Sequence, residues 1–292
     1  MAYVDEMASE PNSVEAQRDR IDRFRELHDV AVQEGRPLVI PNPWDQGSAR
    51  LLASLGAHAL ATTSSGHAAT LGRLDGSVTR DEAIAHSAAI VAAVDVPVSA
   101  DLEDCFGQSA EEVADTVHLA AETGLAGCSI EDANRKFDEP IYELGRAVER
   151  VAAAAEAAHG GEVSLVLTAR AEGALYGRDG LEDIVTRLRA FAEAGADVVF
   201  APGVQDAESI RRIVSEVGVP VSVLALAGTP TVAELGELGV ARVSVGGSLS
   251  YVGLAAVAAA ARELLDDGTY GYWEIVAPAR QLIRDALAEP QP

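Results

Sequence analysis

The sequence predicts a single (β/α)8 TIM barrel, with an N-terminal helix before it and a C-terminal helical extension after it. Three observations carry that prediction. Short runs rich in Val, Ile, Leu and Ala recur eight times between Leu38 and Val245. They are apolar along their whole length, as strands of a parallel sheet buried on both faces must be. Each run is followed by a longer stretch with amphipathic helical spacing, and several joins repeat one phrase of helix end, Gly, small residue and strand: LGAHAL, TGLAGCSI, AGADVVF, LGVARVSV. Eight such units in about 210 residues suit a closed barrel. A doubly wound Rossmann-like sheet is the alternative, but no G-x-G-x-x-G follows the first run.

The whole chain, 1–292, reads as one domain. Residues 1–13 are polar and read as a flexible start. Residues 14–34 form an amphipathic helix suited to covering the barrel floor. The barrel occupies 38–265. Its strands are expected at Leu38-Val39-Ile40, Ala59 to Thr62, Val96 to Ala100, Gly127 to Ile130, Leu165 to Ala169, Val198 to Ala201, Val219 to Leu224 and Val243-Ser244-Val245. Between them, Ser109-Ala110-Glu111-Glu112 resembles a capping box that opens a helix running to Gly124. Glu182 to Ala194 stops at Gly195, and Thr231 to Leu238 stops at Gly239. Residues 270–290 add C-terminal helices carrying Trp273, suited to packing against another subunit or within the chain.

Composition removes some classes of function. The 22 Lys and Arg against 46 Asp and Glu leave a net charge of -24, which repels nucleic acid and anionic membranes. The most apolar stretch, Val252 to Ala261, stops at Arg262, short of the roughly 20 residues of a membrane helix, so no membrane association is expected. Cys105 and Cys128 are the two cysteines and lack paired spacing, which points to a reducing, cytoplasmic location.

A barrel of this kind places its site at the C-terminal strand ends, and that rule selects the candidates. They are Asn42, Trp44 and Asp45 after strand 1, Thr63, Ser64, Ser65 and Asp75 after strand 2, and Asp101, Glu103 and Asp104 after strand 3. Glu131 and Asp132 follow strand 4, and Arg170 and Glu172 follow strand 5. Acids cluster over strands 2 to 4, one Arg faces them, and strands 6 to 8 offer almost no charge. Carboxylates without His or Cys neighbours suit a hard cation, Mg2+ or Mn2+, held here by Asp101, Glu103 and Glu131. Arg170 is placed to take a carboxylate of a small anionic substrate in a bidentate way, or else to pair structurally with Glu131. Asp104 reads as a cap or turn residue and Gly246-Gly247 as a tight turn. The hydroxyl run Thr62 to Ser65 reads as an anion cradle or a polar turn. Cys105 has no His near it in the chain and reads as packing.

These residues resemble the isocitrate lyase and phosphoenolpyruvate mutase superfamily from about Pro41 to Gly247. The phrases that carry the resemblance are GSARLLASLGAHALATTSSGHAATLGRLDG, VPVSADLEDCFGQSAEEVADTV, GLAGCSIED, LTARAEG and AGADVV. The resemblance implies Mg2+ and a 2-oxo acid or its enolate, with Asp101 as direct ligand and Glu103 where the second Asp usually stands. Glu131 would bind metal-held water, Thr63 to Ser65 the anionic end of the substrate, and Arg170 its carboxylate. Asp75 would be the acid closing the strand 2 loop. It further implies a homo-oligomer, a tetramer or dimer, with exchange of the last helix between subunits.

The loop after strand 4 departs from the pattern. It reads EDANRKFDEP, without the Cys and His of isocitrate and methylisocitrate lyases and without the P-K-x-N phrase of phosphonate-forming mutases. Lys136, the one lysine of the chain, and Asn134 lie in it. The expected activity is therefore a Mg2+-dependent carbon-carbon lyase or decarboxylase acting on a small 2-oxo or 2-hydroxy dicarboxylic acid through an enolate. Phosphoenolpyruvate mutase or phosphonopyruvate hydrolase chemistry is the rival, and a catalytically weakened barrel serving as a binding subunit is the rival from another class.

Overall fold

The computed structural model describes residues 13–134, 138–178 and 180–288. Residues 1–12, read from sequence as most of a flexible start, and Lys136 lie outside them. Eight parallel strands form the barrel: β1 (Leu38–Ile40), β2 (Leu60–Ala61), β3 (Val98–Asp101), β4 (Gly127–Glu131), β5 (Val166–Arg170), β6 (Val198–Phe200), β7 (Val221–Leu224) and β8 (Arg242–Ser244). Ladders join them in the order β1-β8-β7-β6-β5-β4-β3-β2. The seam between β1 and β2 has no ladder and is bridged by the Ala61 N–H donating to Pro41 O at 3.3 Å.

Several boundaries moved from their sequence positions for identifiable reasons. Pro97 and Pro220 donate no hydrogen bond, so β3 and β7 begin just after them. β3, β4 and β5 run one residue further than the apolar runs and end on Asp101, Glu131 and Arg170. Strand geometry therefore aims these three polar side chains. β8 begins at Arg242 and releases Val245, whose N–H goes to the Asn42 side chain at 2.9 Å.

The helices are α1 (Val14–Glu34), α2 (Gln46–Ser54), α3 (Ser64–Thr70), α4 (Arg80–Val91), α5 (Ala110–Ala121), α6 (Leu144–His159), α7 (Leu181–Glu193), α8 (Ala207–Val217), α9 (Val232–Glu237), α10 (Ser248–Arg262) and α11 (Trp273–Leu287). Ser109 and Glu112 form the capping box expected for α5. α1 buries Gln17, Ile21, Phe24, His28 and Ala31, a stripe at helical spacing. It closes the floor at the N-terminal strand ends: Gln17 Nε2 donates to Ala121 O and Leu125 O at 2.8 and 3.0 Å, and Arg25 donates to Ser164 Oγ at 3.0 Å.

The C-terminal extension corrects one expectation. α10 continues through a π-helical turn, Glu263–Asp267, into one 20-residue helix from Ser248 to Asp267, whose most apolar 18-residue window has mean hydropathy 1.3. By length and composition alone it is long and apolar enough to cross a membrane; the sequence reading stopped at Arg262 and judged the stretch too short. Ser250 is its buried residue in α10, while Val252 and Val257 stand about two-thirds exposed at 66% and 65%.

Candidate active site

A cavity of about 180 Å3 opens at the C-terminal end of the barrel and reaches down between the strands. Thr63, Ser64, Ser65, Asp75, Asp101 and Arg170 all line it, so the structure brings together the predicted substrate residues and one predicted metal ligand. Asp75 stands exposed at the rim, its Oδ1 taking the Gly76 N–H at 3.1 Å.

Arg170 is the hub. Its Nη1 lies 3.0 Å from both Asp101 Oδ1 and Glu131 Oε1, and its Nε donates to Glu172 Oε1 at 2.8 Å. Its guanidinium also lies 5.2 Å from the Phe200 ring centroid. These carboxylates push its pKa up against the effect of burial. Nε and Nη1 thus serve carboxylates, which leaves Nη2 as the guanidinium nitrogen with no carboxylate against it among the described residues. The sequence reading that paired Arg170 with Glu131 holds alongside two further partners. Glu172 is held in turn: Asp132 Oδ1 accepts the Glu172 N–H at 2.8 Å, while Asp132 Oδ2 pairs with buried Arg187 at 3.2 Å.

The predicted metal set is only partly assembled. Asp101 faces the cavity, its other oxygen taking the Ser64 N–H at 3.0 Å, and Thr62 Oγ1 accepts the Asp101 N–H at 2.8 Å. Glu103 and Glu131 are buried and line a small adjoining cavity with Asp104 and Asn134, and Glu103 shares a second small cavity with Asp101. Among the described residues, no group of three His, Cys, Asp or Glu side chains stands close enough to hold a metal. The cause is visible in the geometry, since the Arg170 cation occupies the place between Asp101 and Glu131. The donor set nevertheless fits a hard cation in kind and charge. Three carboxylates meet one guanidinium there, and Mg2+ takes only one or two protein carboxylates, the rest being water and substrate oxygen.

The loop after β3 has an unusual backbone. Glu103, Cys105 and Phe106 all take positive φ, at 49°, 57° and 56°, the left-handed region that side chains disfavour. Asp104 serves this turn, its Oδ1 accepting the Phe106 N–H at 3.1 Å and its Oδ2 the Asn134 amide and the Tyr142 hydroxyl. The fastener is Arg150 of α6. It is 1% exposed and donates to the carbonyls of Asp104, Gly107 and Gln108 at 2.5, 2.6 and 2.9 Å. Cys105 is a buried free thiol whose pKa is raised by burial, in keeping with a packing role. Gly246 has φ 53°, the tight turn expected of Gly246-Gly247.

Sequence reasoning missed two basic residues. Arg150 reads as one charge on an amphipathic helix, with no signal of its depth. Arg242 corrects the expectation that strands 6 to 8 bring almost no charge: it is 4% exposed, points into the barrel and lines the lower part of the cavity. A signal for it existed. Ser99, Ser129, Thr168, Ser222 and Ser244 recur inside otherwise apolar strands, and at the two-residue period they mark a polar barrel interior in which a charge can be held. Beside Asp101, His67 and His86 stack with centroids 3.8 Å apart. Burial lowers both pKa values, that of His86 to about 4.

The model of the phosphoenolpyruvate phosphomutase family matches residues 24–265. An uncharacterized protein of Mycobacterium tuberculosis (strain H37Rv) is 34% identical over 246 residues, covering 83% of this chain and 89% of that one. A crystal structure from Burkholderia cenocepacia J2315, described as a candidate lyase/mutase, superposes with TM-score 0.88 at 45% identity, covering 94% of this chain and 98% of that one. The crystal structure of 2,3-dimethylmalate lyase, a member of the phosphoenolpyruvate mutase and isocitrate lyase superfamily, superposes with TM-score 0.76 at 26% identity, covering 91% and 99%.

Proposed function

The chain belongs to the phosphoenolpyruvate phosphomutase family, and on that premise we propose that it is a Mg2+-dependent carbon-carbon lyase or decarboxylase acting on a small 2-oxo or 2-hydroxy dicarboxylic acid through an enolate. Its relatives include an oxaloacetate decarboxylase and a 2-methylisocitrate lyase, and the resemblance to this superfamily implies a divalent metal. The observation that carries the proposal is the convergence of Asp101, Glu131 and Glu172 on Arg170 at the cavity wall. A chain without chemistry to perform has no physical need to converge three carboxylates on one buried guanidinium at a cavity wall, which disfavours the binding-subunit reading.

Asp101, Glu103 and Glu131 are the residues that would hold the metal, directly or through water. Bound there, it supplies Lewis acidity for the negative charge that develops on a ketone oxygen. The chain's own groups do the rest. Thr63, Ser64 and Ser65 receive the anionic end of the substrate, and Arg170 turns its remaining Nη2 toward it. Asp75, at the rim, accepts or returns the proton. Carbon-phosphorus chemistry would need Lys136 or Asn134 to reach the ligand, and the Asn134 amide is engaged by Asp104 and Tyr142.

Calorimetry with oxalate, an enolate mimic, tests the reading: oxalate should bind at least tenfold more tightly with Mg2+ than without, and equal affinity sinks it. Incubation with 2-oxo and 2-hydroxy diacids and with phosphonopyruvate, followed by proton and phosphorus NMR, separates the branches. Conversion of phosphonopyruvate alone would overturn the carbon-carbon assignment.

The exposed apolar side chains of α10, the π-helical turn after it and α11, including Leu265 at 80% and Ile275 at 67%, are best covered by a second copy of this chain. Light scattering should report a dimer or tetramer; a monomer at micromolar concentration would refute that part. Both cysteines being free thiols, we assign the protein to the cytoplasm.

A further inference from the structure

The charges along the cavity are arranged unequally. At the mouth, three carboxylates meet the Arg170 guanidinium. One layer down, Arg242 has no acid against it among the described residues. Its hydrogen bonds go to two hydroxyls, Nε to Ser222 Oγ and Nη1 to Thr168 Oγ1, each at 3.0 Å. A guanidinium carries five N–H donors and stays protonated in proteins. Held at 4% exposure with only neutral partners, it is a buried charge lacking its counterion, an expensive arrangement. Burial first, and then the Arg170 charge, push its pKa down to about 9, so at neutral pH it is still a cation. The groups that face it are Thr168 and Arg170 of β5, Ser222 of β7, and His28 of α1 from below, itself lowered to about 4 and neutral. None supplies negative charge.

We propose that Arg242, on the floor of the cavity, receives the second carboxylate of a diacid substrate. The inference rests on the dicarboxylate reading above and extends it by saying where the far end of the molecule goes. The residues at the mouth hold the reacting end, where a cation belongs, and the floor holds the distal anion. Thr168, which anchors Arg242, precedes Arg170 by two residues on β5, about 6–7 Å of strand rise. A ligand that engages both ends therefore needs its carboxylates separated by carbon. Oxalate, with adjacent carboxylates, stays at the mouth, and succinate reaches the floor. The competing view is that Arg242 only fills the barrel, in which case its replacement disturbs every ligand alike.

Calorimetry in Mg2+ with oxalate and succinate as probes distinguishes these. From the wild-type chain to Arg242→Gln, succinate affinity should fall at least tenfold while oxalate affinity changes less than twofold, and Arg242→Lys should recover part of the succinate loss. Equal losses for the two probes, or no loss for succinate, overturn the proposal. Should Arg242→Gln fail to fold, as urea denaturation will report, the wild-type chain still decides. Chloride that enters the cavity competes for the Arg242 guanidinium, so raising it at constant ionic strength should weaken succinate binding more than oxalate binding; equal effects refute the site. The two proposals fail separately. Oxalate binding that ignores Mg2+ removes the enzyme reading, and succinate binding that ignores Arg242 removes this one.

Discussion

Replacing Arg150 with Met keeps most of the side-chain volume and removes the guanidinium that fastens the loop after β3. Three carbonyls lose a charged donor at 2.5 to 2.9 Å; the bond to Gly107 is buried and those to Asp104 and Gln108 are part-buried. Bonds to a charged group contribute roughly 1.5–3 kcal/mol each, and a carbonyl left unsatisfied in the interior costs about 1–3 kcal/mol. Two effects reduce the sum. Gln108 O keeps a second donor in Arg146 at 3.2 Å. In addition, Glu103, Cys105 and Phe106 each hold roughly 1 kcal/mol of left-handed strain, part of which is released once the loop can relax. The net expectation is a loss of about 3–5 kcal/mol, in the range of the large single-site effects that break a buried polar network. Urea denaturation followed by tryptophan fluorescence measures it. Because the same loop carries Glu103 and follows Asp101, Mg2+-dependent oxalate affinity should fall at least tenfold, by about 1.4 kcal/mol or more. A stability loss below about 1 kcal/mol, or unchanged oxalate binding, would refute the view that Arg150 holds this loop in place.

Three further outcomes are expected. Asp101→Ala should abolish turnover in the diacid assay, and activity within tenfold of the wild type would remove Asp101 from the metal site. His28 is buried with its Nδ1–H donated to Phe24 O at 2.8 Å, and burial holds its pKa near 4. The unfolded chain binds a proton near pH 6.5, so this contribution to stability is complete above that value and declines as the pH falls toward 4, by at most roughly 3 kcal/mol. The stability of His28→Gln relative to wild type should therefore improve between pH 7 and pH 4.5 in urea titrations, and a pH-independent difference would disprove the linkage. In Gly247→Ala the added Cβ would collide with Ser65 Oγ and lie 3.1 Å from the Tyr251 ring. Ligand affinity should drop several-fold with little change in the urea midpoint, whereas equal affinity would show that Ser65 does not touch the ligand.

The barrel was legible because its apolar runs, glycine stops and capping boxes act locally, and each is set by a few neighbouring residues. The positions of Asp75, Asp101 and Arg170 at the cavity followed from one rule about strand ends. What sequence could not supply was the competition among charges once the chain had closed. Asp101, Glu103 and Glu131 look equivalent as acids after strands, yet Arg170 draws Asp101 and Glu131 to itself while Glu103 turns into an adjoining space. Arg150 and Arg242 lie 43 and 74 residues from partners that define them, Gly107 and Thr168. No local pattern reports a partner at that distance. The true extent of α10 was hidden for a simpler reason, since Arg262 interrupts the apolar run without interrupting the helix.

The barrel wall is sealed differently at one place. Elsewhere ladders join adjacent strands, but β1 and β2 are joined by the single Ala61 to Pro41 bond and by the Asn42 side chain, whose amide donates to Thr62 O at 3.0 Å while its oxygen accepts the Val245 N–H at 2.9 Å. One amide thus spans three strands at the rim of the cavity. Backbone amides along this seam should exchange with deuterium earlier than those of β4 and β5, because fewer bonds must break together to release them. Ligand that fills the cavity presses on Thr63 and Ser65, just beyond the seam, and should slow that exchange first. The weakest join in the wall is therefore also the one best placed to register whether the cavity is occupied.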